Sequence, residues 1–284
     1  MRTLTFGFLN LNFPPAANAP PLDVVDAAAA ANFRSVGLRI TGRRVEDAYA
    51  DVVGNAAAIK MIRNRLDAAG MRLSSVTAYG VFPDLPLDDH ARVLDATVAL
   101  GSDLVVLNVY YEDHDAFADS LARLCEMAHA RKLRVGVEFM PFSGLRDLPQ
   151  ARAAIEKSGA PNAGYIIDAL HLMRSGGTPK DVAALDASRI YLGQLCDARA
   201  TRTRPSDDEL RAEARANRTY PGEGDAPLYE LLDVLSPELE IEVEVPRSDQ
   251  QGVSLPERAR RIGDLFRAYM LQYERARGRV QPVL

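Results

Sequence analysis

Three carboxylates, Glu138, Asp168 and Glu244, each stand at the end of a short apolar run in the second half of the chain. A strand sends alternate side chains to opposite faces. In residues 239–245, Leu239, Ile241, Val243 and Val245 make one face and Glu240, Glu242 and Glu244 the other. In 134–140, Val135, Val137 and Phe139 oppose Gly136, Glu138 and Met140; in 164–168, Tyr165 and Ile167 oppose Gly164, Ile166 and Asp168. If the apolar faces pack on helices, the carboxylates point into an interior. Buried carboxylates are costly and raise one another's pKa. Two arrangements would satisfy them. One is a divalent cation with oxygen ligands, Mg²⁺ or Mn²⁺ first and Co²⁺ or Zn²⁺ also compatible. The other is ion pairing with an inward arginine such as Arg39. Three carboxylates together at strand ends favour the cation. Glu242, one layer deeper, is expected to support the site, paired with Arg39, and Glu240 to be solvated at the strand's beginning. Gln194 and Cys196 share one face of the run 189–195. The sequence places no histidine to activate Cys196, which is expected to fill the interior.

The elements that position these groups alternate along the whole chain. Strand-like runs lie at 3–9, 35–40, 72–78, 103–109, 134–140, 164–168, 189–195 and 239–245. Amphipathic helical segments lie at 22–32, 51–69, 88–100, 113–131, 148–157, 178–185, 226–235 and 256–275. Strict β-α alternation predicts a parallel sheet. Eight such units suit a (β/α)₈ TIM barrel, read as one domain over 1–284, with its chemistry at the C-terminal ends of the strands. A doubly wound sheet would usually carry a glycine-rich turn after its first strand; here that stretch is Asn10-Leu-Asn-Phe-Pro-Pro15. Long loops at 10–21 and 197–225 both follow strands and fall on the catalytic face.

Composition narrows the partners. The chain has 284 residues, 47% of them hydrophobic, and a net charge of −5, which argues against a nucleic-acid partner. No apolar run approaches the roughly 20 residues of a membrane span, and the N-terminus lacks a signal-peptide core. Two cysteines are too few for a disulfide framework. The expectation is a soluble cytoplasmic protein with a small-molecule substrate, no nucleic acid or membrane partner, and room for a homo-oligomer.

Around these residues stand Val137-Glu138-Phe139-Met140-Pro141, Asp168-Ala-Leu-His171, Gln194-Leu-Cys-Asp197, Tyr220-Pro-Gly-Glu-Gly224 and Ile241-Glu-Val-Glu-Val-Pro246. In this order the sequence resembles the xylose-isomerase-like barrel superfamily, the sugar phosphate isomerase/epimerase group, over essentially the whole chain. The resemblance implies one divalent metal held by Glu138, Asp168, Gln194 and Glu244, with His171 facing the substrate beside it. Many relatives carry His at the strand-seven position. Gln194 looks more like the bacterial 3-dehydroshikimate dehydratases of the same superfamily, which can also carry a C-terminal dioxygenase-like domain. Relatives often bring a His or acidic residue on strand three, where this chain has Thr77-Ala-Tyr79-Gly80. The endonuclease branch usually has three metals and more histidines than His90, His114, His129 and His171.

Isomerisation, epimerisation and dehydration share one first step, removal of a proton beside a carbonyl polarised by the metal. Glu138, Glu244 and His171 are the expected acid–base groups. Arg39 and Arg218 are expected to grip a carboxylate or phosphate, and Asn108, Tyr79 and Tyr110 to meet substrate hydroxyls. The activity expected first is a metal-dependent isomerase or epimerase of a small sugar or keto-polyol. A dehydratase of the 3-dehydroshikimate type is the alternative, and a non-catalytic metabolite-binding barrel is the reading from another class.

Overall fold

The structure is a computed structural model that describes residues 2–11, 19–42 and 49–279. Eight parallel strands follow one another around a closed barrel: β1 (Leu4–Gly7), β2 (Ser35–Leu38), β3 (Arg72–Val81), β4 (Leu104–Val109), β5 (Arg134–Glu138), β6 (Ala163–Asp168), β7 (Ile190–Leu195) and β8 (Ile241–Val243). The ring closes where β1 pairs with β8, Leu4 opposite Ile241 and Phe6 opposite Val243. Asn10 pins this seam: its Nδ2 donates to the carbonyls of Gly7 (2.8 Å) and Val243 (2.7 Å), and its Oδ1 accepts the Val245 N–H at 2.6 Å.

The helices are α1 (Pro21–Ala30), α2 (Ala56–Ala68), α3 (Leu87–Leu100), α4 (His114–His129), α5 (Leu148–Ser158), α6 (Ala169–Arg174), α7 (Pro179–Ala183), α8 (Asp207–Ala216), α9 (Leu228–Val234) and α10 (Leu255–Ala276). Side-chain caps set several beginnings. Asp113 caps α4, Asp147 caps α5 and Asp168 caps α6. Helix α2 starts five residues after the expected Asp51, because Gly54 turns the chain at φ +82° and Asn55 accepts the Ala58 N–H. The long charged stretch after β7, whose interleaved arginines and acids suggest a solvated helical face, contains α8, which a Ser206–Glu209 capping box opens. Most of the loop expected at 10–21 lies outside the described residues.

The outward faces pack as expected: Val135, Val137, Phe139, Tyr165, Ile167, Ile241, Val243 and Val245 all belong to the main apolar core between barrel and helices. Leu104, Val106, Ile166 and Leu192 form a separate apolar cluster inside the barrel. One strand departs from simple alternation. In β3 the register against β4 slips between Val76 and Tyr79, and Ala78 there has a left-handed φ of +58°. That irregularity reverses the parity of everything after it.

Candidate metal centre

Glu138, Asp168 and Glu244 stand at the C-terminal ends of β5, β6 and β8, all buried, with Glu244 outside the tight group that the other two form. Oxygen or nitrogen atoms of Glu138, Asp168 and His171 lie within 4.8 Å of one another, a spacing that suits one ion. His171 therefore belongs to the cluster itself; its Nε2 is 3.8 Å from Glu138 Oε1. The local sequence explains the proximity. Asp168 ends β6 and caps α6 by accepting the His171 N–H at 2.9 Å, so one turn of helix places the imidazole over its own capping carboxylate. Glu138 is steadied by its neighbour across the β4–β5 register, Asn108, whose Nδ2 donates to Oε2 at 2.6 Å.

Glu244 follows β8 and lies within 3.2 Å of Arg218 Nη2. Arg218 Nη1 donates to Asp168 Oδ2 at 2.6 Å, and its Nε donates to the Ala214 carbonyl at 2.9 Å. The guanidinium thus bridges two of the carboxylates assigned to the metal. This corrects the expectation for Arg218: with 2% of its surface exposed, it is a buried counter-ion in place of a substrate grip at the mouth. The loop that carries it is tied down by Asp197, a residue with no role assigned from the sequence. Asp197 accepts backbone N–H bonds from Gly222 (2.9 Å), Gly224 (3.1 Å) and Ala226 (3.0 Å), and exchanges backbone bonds with Thr219. The available signal was an acidic residue two positions after strand seven, ahead of a Pro-Gly-Glu-Gly loop.

Gln194 and Glu242 are neighbours across β7 and β8, and Gln194 Nε2 donates to Glu242 Oε1 at 3.0 Å. Gln194 Oε1 is buried without a hydrogen-bond partner, as are His171 Nδ1 and Glu242 Oε2. Arg39 does not pair with Glu242 as expected. It lies just past β2, donates to the Thr41 carbonyl at 2.8 Å and covers the Tyr49 ring at 5.0 Å. Glu240 is half-buried and paired where free solvation was expected: Ser35 Oγ donates to it at 2.5 Å, and Thr5 and Arg72 also bond it. Tyr79 faces outward, because the slip at Ala78 turns it into the helix layer, where its hydroxyl meets His90 Nδ1 at 2.8 Å. Tyr110 stacks on Phe82, rings 4.6 Å apart. Cys196 is buried beside Arg218 and fills the interior, with burial pushing its thiol up to about 12.

Electrostatics set the carboxylates apart. Burial and the adjacent Asp168 push Glu138 up to about 8. Burial, with Glu240 and Asp168, pushes Glu242 up to about 7 against the pull of the Gln194 hydrogen bond. Burial lifts Glu244 well above the carboxylate range despite Arg218. Burial also works against ionisation of Asp168, yet Arg218 and His171 outweigh it and hold that carboxyl at about 2. Burial, helped by Arg218, brings His171 down to about 4, so it is a neutral base at pH 7.

The sequence matches the family of xylose isomerase-like TIM barrels over residues 25–267. The chain belongs to that family. A 3-dehydroshikimate dehydratase from Pseudomonas aeruginosa is 28% identical over 157 residues, 53% of this chain and 24% of that protein. The chain thus spans about a quarter of the length of the curated relative it matches. Among solved structures, a fusion of a xylose isomerase-like TIM barrel with 4-hydroxyphenylpyruvate dioxygenase superposes over 100% of this chain and 45% of its own, with TM-score 0.75 and 19% identity. The IolI protein with a bound zinc atom gives TM-score 0.77 at 15% identity, covering 95% and 99% of the two chains. An L-ribulose 3-epimerase gives 0.70 at 14% identity, covering 99% and 100%. At these identities the structural likeness is one of fold.

The residues present fit the divalent ion expected of a xylose isomerase-like barrel. Gln194 offers a buried amide oxygen that has no other partner. Glu138, Asp168 and His171 already share one point. Among the described residues, the buried carboxylates Glu138, Asp168, Glu242 and Glu244 are offset by one buried guanidinium, that of Arg218, an imbalance that a divalent cation would relieve.

Proposed function

We propose that this chain, read as one barrel domain over 1–284, is a divalent-metal-dependent dehydratase that acts on a small cyclic keto acid of the 3-dehydroshikimate kind. The observation that carries the reading is the orientation of Gln194, whose buried oxygen is free while its nitrogen is bound to Glu242. The sequence match to a 3-dehydroshikimate dehydratase supports the substrate class. Glu138, Asp168, Gln194 and Glu244 would hold the ion, with Mg²⁺ or Mn²⁺ favoured by the oxygen-rich set and Co²⁺ or Zn²⁺ compatible with it. When bound, such an ion polarises a carbonyl as a Lewis acid. His171 is neutral and stands 3.8 Å from Glu138, so the two can divide the proton work. One takes the proton beside the carbonyl and the other protonates the leaving hydroxyl. Loss of water from a dehydroshikimate ring followed by enolisation gives a dihydroxybenzoate. Asn108 donates to the Glu138 carboxylate and orients it. Arg39, at the mouth past β2, remains the candidate for the substrate carboxylate. The two free, buried thiols suit a reducing compartment such as the cytoplasm.

The metal-loaded protein incubated with 3-dehydroshikimate should develop new ultraviolet absorbance from the aromatic product. Fold likeness to an L-ribulose 3-epimerase supports a second reading, in which the same proton is returned to carbon and no water leaves. Keto-sugars in D₂O would then gain deuterium beside the carbonyl. A protein that binds metal yet does neither is the metabolite-binding barrel of the third reading.

A further inference from the structure

We propose that Glu242 is a positioning residue that fixes the Gln194 amide with its oxygen toward the metal; this rests on the metal-centre reading above. An amide presents an oxygen to one side and an NH₂ to the other, and only the oxygen can ligate a cation. Glu242 is fully buried, lies beside Gln194 in the β7–β8 register, and accepts from its Nε2 at 3.0 Å. Rotating the amide by half a turn would set its oxygen against the Glu242 carboxylate and its NH₂ against the ion, two repulsions at once. Ligands held by such outer partners are common in metal sites.

The barrel is shaped to hold this carboxylate still. A Cβ on Gly37 would lie 2.2 Å from Glu242 Oε2, and one on Gly7 would lie 3.1 Å from Oε1. Neither glycine has a left-handed φ, so the backbone does not demand them; the space does. A buried carboxylate close to Asp168, Glu138 and Glu244 works against the fold, and an apolar side chain would fill the cradle at lower cost. Its placement makes sense as the clamp on Gln194.

Mn²⁺ titration of the metal-stripped protein by calorimetry tests the inference. The wild type, measured first, decides the metal-centre reading itself: no Mn²⁺ binding at millimolar concentration would end that reading, and the clamp with it. Given binding, E242L should weaken Mn²⁺ by about 10–100-fold, as removal of an outer partner typically does. Q194A should weaken it comparably, and E242L added to Q194A should change little more. G37A retains every charge but displaces the carboxylate, and it should also weaken Mn²⁺; it stands in if E242L does not fold, with metal-free melting temperatures reporting folding. E242Q, which keeps an acceptor oxygen, should lose less than E242L. Wild-type affinity in both E242L and G37A, an equal loss from E242L with and without Gln194, or an E242Q loss as large as that of E242L would overturn the clamp.

Discussion

Arg218 Nη1 stands 2.6 Å from Asp168 Oδ2, and both side chains are all but sealed from solvent. The same guanidinium reaches Glu244 at 3.2 Å, so one loop residue neutralises carboxylates from β6 and from the end of β8. Breaking a buried pair by removing one partner costs about 3–5 kcal/mol. Metal-free R218M should therefore melt well below the wild type, and Mn²⁺ should raise its Tm by more than it raises the wild type's, because the ion supplies the missing charge. Equal Mn²⁺ shifts in the two proteins would show that Arg218 does not neutralise the ligand set.

Stability without metal should depend on pH in a defined direction. Glu138 at about 8 and Glu242 at about 7 lie above the ordinary value of 4.5, so the folded protein binds more protons than the unfolded one between these limits. Their contribution is fully present below about pH 4.5 and is lost as pH rises through 7–8. Asp168, held at about 2, acts in the opposite sense and loses its contribution only as pH falls from its ordinary 3.8 toward 2. An ion requires ionised ligands, so its stabilisation grows with pH. Melting curves in EDTA and in Mn²⁺ should diverge steadily from pH 5 to pH 8; curves that stay parallel would remove Glu138 from the ion's ligands.

Gln194→His exchanges a neutral oxygen ligand for an imidazole that competes with protons near its pKa of about 6.5. The variant should keep the fold, shift preference toward Zn²⁺ or Co²⁺, and lose metal more steeply below neutral pH. Competition titrations at pH 6 and pH 8 read both effects, and an unchanged preference with an unchanged pH response would count against coordination by residue 194.

Tyr79→Phe removes a hydroxyl that meets His90 in the helix layer. The loss of one such bond costs about 0.5–1.5 kcal/mol. Chemical denaturation should show that cost while KM and kcat stay at wild-type values. A KM change beyond threefold would return Tyr79 to the substrate site.

The contrast between Tyr79 and Glu244 shows what alternation reveals. Strands β5, β6 and β8 have apolar outer faces unbroken enough to fix their own parity, and Glu138, Asp168 and Glu244 are buried away from those faces, Asp168 and Glu244 sharing Arg218. In β3 the run Ser74-Ser75-Val76-Thr77 is ambiguous, and a single left-handed alanine reverses the facing of the residues beyond it. Arg218 was legible as a special arginine beside the Tyr-Pro-Gly-Glu-Gly stretch. Its burial was not, because that depends on Asp197 folding the loop back onto the strand ends. Asn108 was expected to meet substrate; only the β4–β5 register shows that its partner is Glu138.

The stitch made by Asn10 has a consequence for how the molecule assembles. It joins residues separated by 233 and 235 positions, bringing the first strand and the last into one hydrogen-bonded seam. Pairings so distant in sequence bear the largest loop-closure entropy and so tend to form late. Glu242 and Glu244 flank Val243, to which Asn10 is bonded. Strand β8 also pairs with β7, where Gln194 stands opposite Glu242, so the last two carboxylates of the site reach their places as β8 docks and are held there once the ring shuts. A folding intermediate that has built β2 through β7 would bring together Glu138, Asp168 and His171 but lack Glu242 and Glu244, so an ion that needs Glu244 would be taken up only after β8 has docked.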